Sequence, residues 1–167
     1  MRFIRVLLLL LVGVTLVACG DKFRTYNGPA VTSIQVHKAD RKMYLLHGDQ
    51  VLETYDIHLG GNPVGKKRFE GDGKTPEGIY HITHRNPDST YHLSLGISYP
   101  NDEDRAYARA AGKPTGGDIF IHGGPVTKSS KKKRRGDWTA GCIAVSNRQI
   151  EDIYAMVKPG TPIMILP

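Results

Sequence analysis

The sequence predicts a mainly β domain with short helices, folded as a β-sandwich-like or barrel-like mixed structure. Short runs rich in Ile, Val, Tyr and Leu recur along the chain, and the breaks between them carry turn residues such as Gly, Asp and Asn. Strands and helices do not alternate regularly and no segment repeats, which disfavours a doubly wound parallel sheet. With 167 residues, the chain is long enough for one domain with its own core.

Short apolar runs bounded by turn residues predict seven strands. They lie at residues 33–38, 42–47, 50–59, 79–86, 91–100, 118–121 and 161–167. The first three are separated by short polar turns and form a predicted meander. Residues 60–78, "GGNPVGKKRFEGDGKTPEG", have no apolar period and predict a long ordered loop or an active-site lid. The strand at 118–121 delivers His122 into a glycine turn.

Two short helices complete the prediction. The first begins at Asn101 or Asp102 as the N-cap, carries acidic residues in its first turn and alanines in its body, and stops at Gly112. In the second, Ser146 and Gln149 form a capping-box pair, and apolar residues follow at spacings of three and four. That spacing predicts one apolar helix face against the core.

The N-terminal residues are predicted to lie outside the domain. Arg2 and Arg5 precede an apolar run too short to span a bilayer comfortably, so residues 1–18 have the pattern of a secretory signal peptide. The run ends in Leu16-Val17-Ala18-Cys19, which resembles the lipobox of bacterial lipoproteins, where cleavage precedes a cysteine that then carries the lipid. An ordinary signal with an incidental cysteine and an uncleaved anchor are the alternatives. All three interpretations export the chain.

Residues 19–30 are predicted to be a lipidated tether and residues 31–167 the folded domain. The segment "GDKFRTYNGPA" after Cys19 is rich in Gly, Asp, Asn and Pro and has no hydrophobic period. Buried acyl methylenes, at about 0.8 kcal/mol each, would attach such a protein to a membrane. Gly20 is not the aspartate that resembles an inner-membrane retention signal. We therefore expect a periplasmic protein anchored by lipid to the membrane, specifically the outer membrane.

The charge of the chain points to anionic partners. The formal net charge is +7, and removal of a leader containing Arg2 and Arg5 leaves +5. A basic run at 128–135, "KSSKKKRR", is too dense to pack and predicts a solvated loop. Export argues against nucleic acid as its partner and favours phospholipid or cell-wall carboxylates. A loop without a specific partner is the alternative.

Cysteine usage singles out one thiol. Of the two cysteines, Cys19 is assigned to lipid, so Cys142 is left as a lone thiol in an exported chain, either buried and inert or kept for its reactivity. It lies in "TAGCIAV", where Gly141 allows the backbone to approach a substrate carbonyl and Thr139 adds a hydroxyl. The amides of Gly141 and Cys142 pointing into one pocket would form an oxyanion site.

A nucleophilic cysteine also needs a base, and His122 is the best placed of seven histidines because it ends an apolar strand beside Gly123 and Gly124. The other six lie in or at the ends of strands and are expected to be exposed or at the edge of the core: His37, His47, His58, His81, His84 and His92. If Cys142 and His122 titrate as a unit, the thiol should react at neutral pH faster than a free cysteine.

These residues carry a resemblance to a known family. "IFIHGGP" followed by "TAGCIAVSN" resembles the catalytic signature of the YkuD domain of L,D-transpeptidases: histidine-glycine, a variable loop, then serine or threonine, any residue, glycine, cysteine. "DGKTPEGIYHI" and "SYPN" resemble upstream segments of that domain, and "SNRQIEDIYAMVKPGTPIMIL" its closing helix and strand. The resemblance covers about residues 31–166 and is nearest to the YafK-like branch of murein transpeptidases, some of which act as amidases.

The resemblance implies an enzyme that attacks the carbonyl of a meso-diaminopimelate residue in a peptidoglycan stem peptide and forms a thioester. It implies Cys142 as nucleophile and His122 as acid/base, with Thr139, Gly141 and Gly123 as oxyanion or substrate-positioning residues. Amine or water resolves the acyl-enzyme, giving transfer or hydrolysis. No metal, other cofactor or nucleic acid is implied, and we expect a monomer whose partners are stem peptides and, through the anchor, a membrane.

One departure from the family pattern and two alternatives remain. Ile143-Ala144-Val145 follows the cysteine where many members carry arginine, which leaves substrate anchoring and the direction of the reaction open. A peptidoglycan-binding lipoprotein with a dead site would keep the fold and basic surface. A metal site using Cys142 and histidines is disfavoured because their spacing matches no common zinc pattern.

Overall fold

A computed structural model describes residues 22–125 and 136–167. The predicted signal peptide, Cys19 and the basic run at 128–135 therefore lie outside the described residues. Within the two described ranges, no helix is long and apolar enough to cross a membrane.

Eight strands and two short helices form the described domain. In chain order they are β1 (Ser33–His37), β2 (Lys42–His47), β3 (Gln50–Asp56), β4 (Gly78–Asn86), β5 (Ser94–Ile97), α1 (Asp102–Ala110), β6 (Phe120–His122), β7 (Ile143–Ala144), α2 (Asn147–Met156) and β8 (Pro162–Leu166). Both predicted helices are present, and Asn101 and Ser146 form their N-caps, each with a complete capping box.

All eight strands belong to one sheet in the order β3-β2-β1-β8-β4-β5-β6-β7. The first three strands are antiparallel neighbours, as the predicted meander requires. The last strand, β8, lies in the middle, parallel to β1 and antiparallel to β4. The C-terminal strand therefore joins the meander to the strands that carry the site.

The sheet curls until its two edges meet. After β3 the chain leaves β2, and His58 exchanges two backbone hydrogen bonds with Ala144, with N–O distances of 2.9 and 2.8 Å. Leu59 O accepts from the amides of Trp138 and Thr139 at 3.1 and 3.0 Å. The mainly β class is confirmed, and of its two predicted forms the barrel-like one is observed.

The core lies inside the curled sheet and is closed by α2. Ile150 and Ile153 of α2 are fully buried, which confirms the apolar face predicted for this helix. They pack with strand residues that are fully buried as well, among them Ile34, Leu45, Ile82, Leu95, Ile121, Ile143 and Ile163. Burial of each such side chain contributes about 1.5–3 kcal/mol, so this cluster fixes the curl on which the site depends.

Residues 60–78 form an ordered loop, one of the two forms predicted for them. Asp72 accepts hydrogen bonds from the amides of Arg68, Phe69 and Lys74 at 2.8–3.0 Å. The buried Lys38 of the segment after β1 donates to Gly65 O, Thr75 O and Glu77 at 2.7–3.1 Å. The Asp72 contacts order the loop internally, and the Lys38 contacts tie it to the end of β1.

The structure differs from the sequence prediction at several strands: β3 ends at Asp56 instead of residue 59, and β7 was not predicted. The strand expected at 91–100 spans only Ser94–Ile97, because His92 adopts a left-handed backbone conformation, with φ of 76°, that breaks the extended run. The strand expected at 118–121 is Phe120–His122, because Asp118 is left-handed as well, with φ of 54°. His122, which was predicted to lie in the turn after this strand, is the last residue of the strand.

The described part of the predicted tether contacts the domain. Residues 22–30 lie against the domain, because Arg24 pairs with Glu151 and Asp152 of α2 at 2.9 and 2.8 Å. Lys22 Nζ donates to Pro87 O at 2.6 Å. These contacts are made by isolated charged side chains, which composition does not reveal; the boundary at residue 31 stays a prediction.

Candidate active site

Strands β6 and β7 bring the two principal candidate residues to one face of the sheet. They pair in parallel with Ile121 opposite Ile143 and His122 opposite Ala144. This register places Cys142 opposite Phe120, and because side chains alternate along a strand, Cys142 and His122 point to the same side. Their apolar neighbours Ile121 and Ile143 point to the core and are fully buried.

Cys142 and His122 both line an open cavity of about 550 Å³. The other lining residues are Asn86, Asp88, Ser89, Thr90, Tyr91, Ser94, Asp118, Phe120, Trp138, Thr139 and Ala140. The cavity is large enough for several residues of an extended peptide. All seven histidines lie in the described ranges, and His122 is the one that lines this cavity.

The thiol of Cys142 is half-buried and held by the strand beside it. Sγ accepts a hydrogen bond from Phe120 N at 3.4 Å and donates to Asp118 O at 3.5 Å. Burial raises the pKa of this thiol, and the Asp118 carboxylate raises it further against the opposing amide of Phe120. The resting thiol is therefore protonated at neutral pH. The fast reaction expected if Cys142 and His122 titrate as a unit stays a prediction, and burial and the nearby carboxylate, which the sequence did not show, oppose it.

The imidazole of His122 is oriented by the backbone that follows it. Nδ1 lies 2.7 Å from Gly123 O, and because a carbonyl oxygen only accepts, Nδ1 carries the proton of the neutral ring. Nε2 is then the basic nitrogen. The ring is 4% exposed, which places the basic nitrogen in a largely dry part of the cavity wall.

Two aromatic rings enclose His122. The Tyr91 ring centroid lies 4.4 Å from that of His122, and the Trp138 centroid lies 5.7 Å from it. Tyr91 and Trp138 are themselves 6.1 Å apart. Rings at these distances pack favourably and exclude water from the imidazole.

Thr139 and Gly141 shape the turn before Cys142. Thr139 Oγ1 donates to Cys142 O at 2.8 Å and accepts from Gly141 N at 3.1 Å. Both groups predicted to face an oxyanion, the Thr139 hydroxyl and the Gly141 amide, are thus engaged with the turn itself. Among the residues that the structure describes, no backbone or side-chain acceptor binds the N–H of Cys142.

Gly141 is required by a close contact on the side of the turn away from the cavity. Its φ is +141°, and an added Cβ would lie 2.6 Å from Lys74 O in the ordered loop. The glycine therefore serves the packing of residues 60–78 behind the turn. This reason differs from the predicted approach of a substrate carbonyl.

Gly123 holds the histidine and leaves no room for a side chain. Its amide donates to Leu93 O at 3.3 Å and its carbonyl accepts from His122. An added Cβ would lie 2.8 Å from Asn147 Oδ1 and 2.9 Å from Tyr91 O. Asn147 Oδ1 accepts from Gly124 N at 2.7 Å, so the first residue of α2 fixes the glycine turn.

A salt bridge between Arg41 and Asp137 anchors the turn that precedes Cys142. Asp137 Oδ1 accepts from Leu59 N at 2.8 Å, and Asp137 Oδ2 accepts from Arg41 NH2 at 2.8 Å. Arg41 lies in the β1–β2 turn, in the left-handed region with φ of 53°. The residues that lead into Thr139 are held by both the guanidinium and the backbone that follows β3.

Sequence reasoning missed four residues at the site: Tyr91, Asp118, Trp138 and Asn147. Trp138 offered a signal, since it is the one tryptophan in the chain and directly precedes Thr139. The others gave none, because their roles depend on strand pairing and on the left-handed turn at Asp118. Among the described residues, no group of three or more His, Cys, Asp or Glu side chains is arranged to hold a metal ion.

Comparison with known proteins assigns this chain to a family. The family model of YkuD, the L,D-transpeptidase catalytic domain, matches residues 32–165. A similar curated protein is YafK of Escherichia coli strain K12, whose name gives its L,D-transpeptidase assignment as provisional. It is 32% identical over 130 residues, which cover 74% of this chain and 46% of that protein.

Two solved structures are also similar to this chain. The helical cell shape determining protein Pgp2 of Campylobacter jejuni matches with a TM-score of 0.62 at 28% identity, over 87% of this chain and 51% of that one. Bd1075 of Bdellovibrio bacteriovorus matches with a TM-score of 0.57 at 28% identity, over 82% of this chain and 48% of that one. The chain spans about half the length of these relatives.

Proposed function

Since the chain belongs to the YkuD family of L,D-transpeptidase catalytic domains, we propose that it is a cysteine-dependent L,D-transpeptidase acting on peptidoglycan stem peptides that contain meso-diaminopimelate. The observation that carries the proposal is the placement of Cys142 and His122 on one face of β6 and β7, lining one cavity. A nucleophile and a base on adjacent strands are what acyl transfer through a covalent intermediate requires.

The chemistry follows from the protonation states at the site. Cys142 attacks the diaminopimelate carbonyl while its proton passes to Nε2 of His122, so the thiolate forms only as the bond to carbon forms. The N–H of Cys142 is the donor placed nearest the oxygen that gains negative charge. Collapse of this intermediate breaks the peptide bond, and His122 returns its proton to the leaving amine. The product is a thioester on Cys142.

The second half of the reaction mirrors the first. A primary amine attacks the thioester and loses its proton to His122, and the thiol is released with that proton. Water in place of the amine gives hydrolysis, which is the second candidate activity. The arginine that many relatives carry after the cysteine is replaced by Ile143, which is fully buried, so that position offers no charge to hold a substrate carboxylate.

The proposal extends to cell-wall shape and to location. Pgp2, 28% identical, is named as determining helical cell shape, which supports a role in remodelling the wall.

The lipobox-like sequence ending at Cys19 supports export and lipid anchoring in the periplasm, at the outer membrane. Cys19→Ser should abolish incorporation of a fatty-acid label and release the protein from the membrane fraction. Unchanged labelling and detergent extraction would contradict the anchor.

Intact-protein mass spectrometry tests the activity. Wild-type protein incubated with purified muropeptides, or with a carbapenem that acylates thiols, should gain a mass that maps to Cys142. Cys142→Ser should show no adduct and no turnover, and His122→Ala should slow acylation by roughly 10²-fold, the scale of a lost general base. Thermal unfolding of both variants checks that the fold is kept.

The products then separate the candidate functions. A cross-linked dimer of stem peptides indicates transfer, and a shortened stem peptide alone indicates hydrolysis. No adduct on wild-type protein, together with normal wall composition in a Cys142→Ser strain, would overturn the enzyme and leave a peptidoglycan-binding protein.

A further inference from the structure

The N-terminal segment Lys22–Tyr26, called here the strap, lies outside the part of the chain that the family model matches. It contacts the loop between β4 and β5, Pro87–His92, called here the cavity loop. Four residues of this loop line the cavity: Asp88, Ser89, Thr90 and Tyr91. The strap therefore contacts a loop that lines the same cavity as Cys142.

Lys22 contacts both ends of the cavity loop directly. Its Nζ donates to Pro87 O at 2.6 Å and lies 3.5 Å from His92 O. A single ammonium group therefore ties the residue where the loop leaves β4 to the residue where it approaches β5. Hydrogen bonds from a charged donor are the stronger ones in proteins.

Arg24 holds the same loop through a carboxylate. Its Nε and NH2 donate to Glu151 Oε2 at 3.0 and 2.9 Å, and Glu151 Oε1 lies 2.8 Å from His92 Nε2. Arg24 NH1 also donates to Asp152 at 2.8 Å, which makes the guanidinium multidentate on α2. The chain of contacts thus runs from the strap through the helix to the side chain of His92.

His92 is the point where this support reaches the site. Its backbone is in the left-handed region, φ 76°, which a non-glycine residue adopts only when its surroundings hold it there. Its neighbour Tyr91 packs on the His122 ring at 4.4 Å. Relaxation of His92 would move Tyr91 and with it the wall around the base.

From these contacts we infer that the strap is a positioning element of the active site, with Lys22 and Arg24 as positioning residues that hold Tyr91 against His122. The inference rests on the proposed function, since it concerns the geometry of the proposed base. Ion pairs at a surface add little to global stability, so the effect belongs to the site and to the reaction rate. A misplacement of about 1 Å at a catalytic group is enough to slow a reaction considerably.

The test compares Lys22→Ala/Arg24→Ala with wild type in the full chain. The one tryptophan of the protein, Trp138, lies 6.1 Å from Tyr91, so its fluorescence reports the position of the wall. We expect a shifted Trp138 emission and acylation of Cys142 by a carbapenem slowed by about tenfold. Lys42→Ala is the matched control, because it removes a surface pair with Asp56, at 2.6 Å, that does not touch the cavity loop.

The outcomes are distinct. Arg24→Lys in place of Arg24→Ala keeps the positive charge and a hydrogen-bond donor. It should therefore restore part of the acylation rate that the double alanine variant loses. Wild-type emission and rate in the double variant would overturn the inference, as would an equal loss in Lys42→Ala, which would indicate a general effect on the fold. If wild-type protein itself is not acylated, the proposed function fails, and the emission of Trp138 still decides whether the strap holds the wall.

Discussion

The hydroxyl of Thr139 donates a hydrogen bond to the carbonyl oxygen of Cys142 at 2.8 Å. The same hydroxyl accepts a hydrogen bond from Gly141 N, so one side chain closes the turn that presents Cys142. Thr139→Val keeps the shape and leaves both backbone groups without this partner, at a cost of about 1–3 kcal/mol for each buried group. We expect reduced stability in urea unfolding and slower acylation. Thr139→Ser keeps the hydroxyl and should retain both properties, and equal behaviour of the two variants would contradict this role.

Gly141→Ala should displace the turn before Cys142, because the added methyl group meets the ordered loop at residues 60–78. The new Cβ would lie 2.6 Å from Lys74 O, and φ of +141° is costly for alanine, by about 1–3 kcal/mol. The turn must shift toward the cavity, so both the unfolding free energy and the acylation rate should fall. Gly61→Ala is the control, because nothing lies within 4 Å of its added Cβ. Wild-type acylation in Gly141→Ala would show that the ordered loop yields to the methyl group.

Alkylation of Cys142 by iodoacetamide should increase with pH through a midpoint above the ordinary thiol pKa of about 8.5. Burial raises the pKa of this thiol first, and the Asp118 carboxylate adds to it. Asp118→Asn removes the second cause and should lower the midpoint. Asp88→Asn, a carboxylate on the cavity loop, should leave it unchanged. A wild-type midpoint below about 8.5 would instead indicate a resting thiolate paired with protonated His122.

Asp72 should make the stability of the domain depend on pH. Burial raises its pKa, but the amides of Arg68, Phe69 and Lys74 and the ammonium of Lys67 outweigh burial, so the pKa in the folded state is lowered. Its stabilising effect is therefore complete above the unfolded carboxyl pKa of about 3.9 and is lost as pH falls through the lower folded value. Asp72→Asn should reduce the unfolding free energy by about 1.5–3 kcal/mol at pH 7. In urea unfolding at pH 3 the difference from wild type should shrink.

The exposed Asp56 provides the control for that measurement. Its side chain is 83% exposed and pairs with Lys42 at the surface, so Asp56→Asn should change neither the stability at pH 7 nor its pH dependence. A pH dependence that survives in Asp72→Asn would place its origin in another carboxylate.

The fold could be predicted from the sequence where its signals are local. Apolar alternation located the first three strands, and Ser146 with Gln149 marked the start of α2 because a capping box is a contact between near neighbours. The insertion of β8 between β1 and β4 could not be predicted, since strand order depends on pairings between distant residues. The shorter β5 depends on the left-handed His92, for which the sequence carries no turn signal.

For the candidate site, the residue types could be read from the sequence, whereas their contacts could not. A lone thiol in a glycine turn and a histidine at a strand end indicated Cys142 and His122 by residue type and position alone. The hydrogen bonds that occupy Thr139 and Gly141 were hidden, because residue type shows which groups are polar and leaves their partners unknown. Burial of the thiol, which opposes its predicted reactivity, follows only from the packed fold.

The paired backbone of His58 and Ala144 joins the chain just after β3, the first strand in the sheet order, to β7, the last, beside Cys142. Contacts between residues so distant in sequence close a long loop and are slow to form. The surroundings of Cys142 are therefore completed only when the curled sheet closes, and opening of either edge dismantles them. The proposed site is therefore complete only in the folded domain, and acylation of Cys142 by a substrate analogue would measure the fraction of molecules in which that closure is complete.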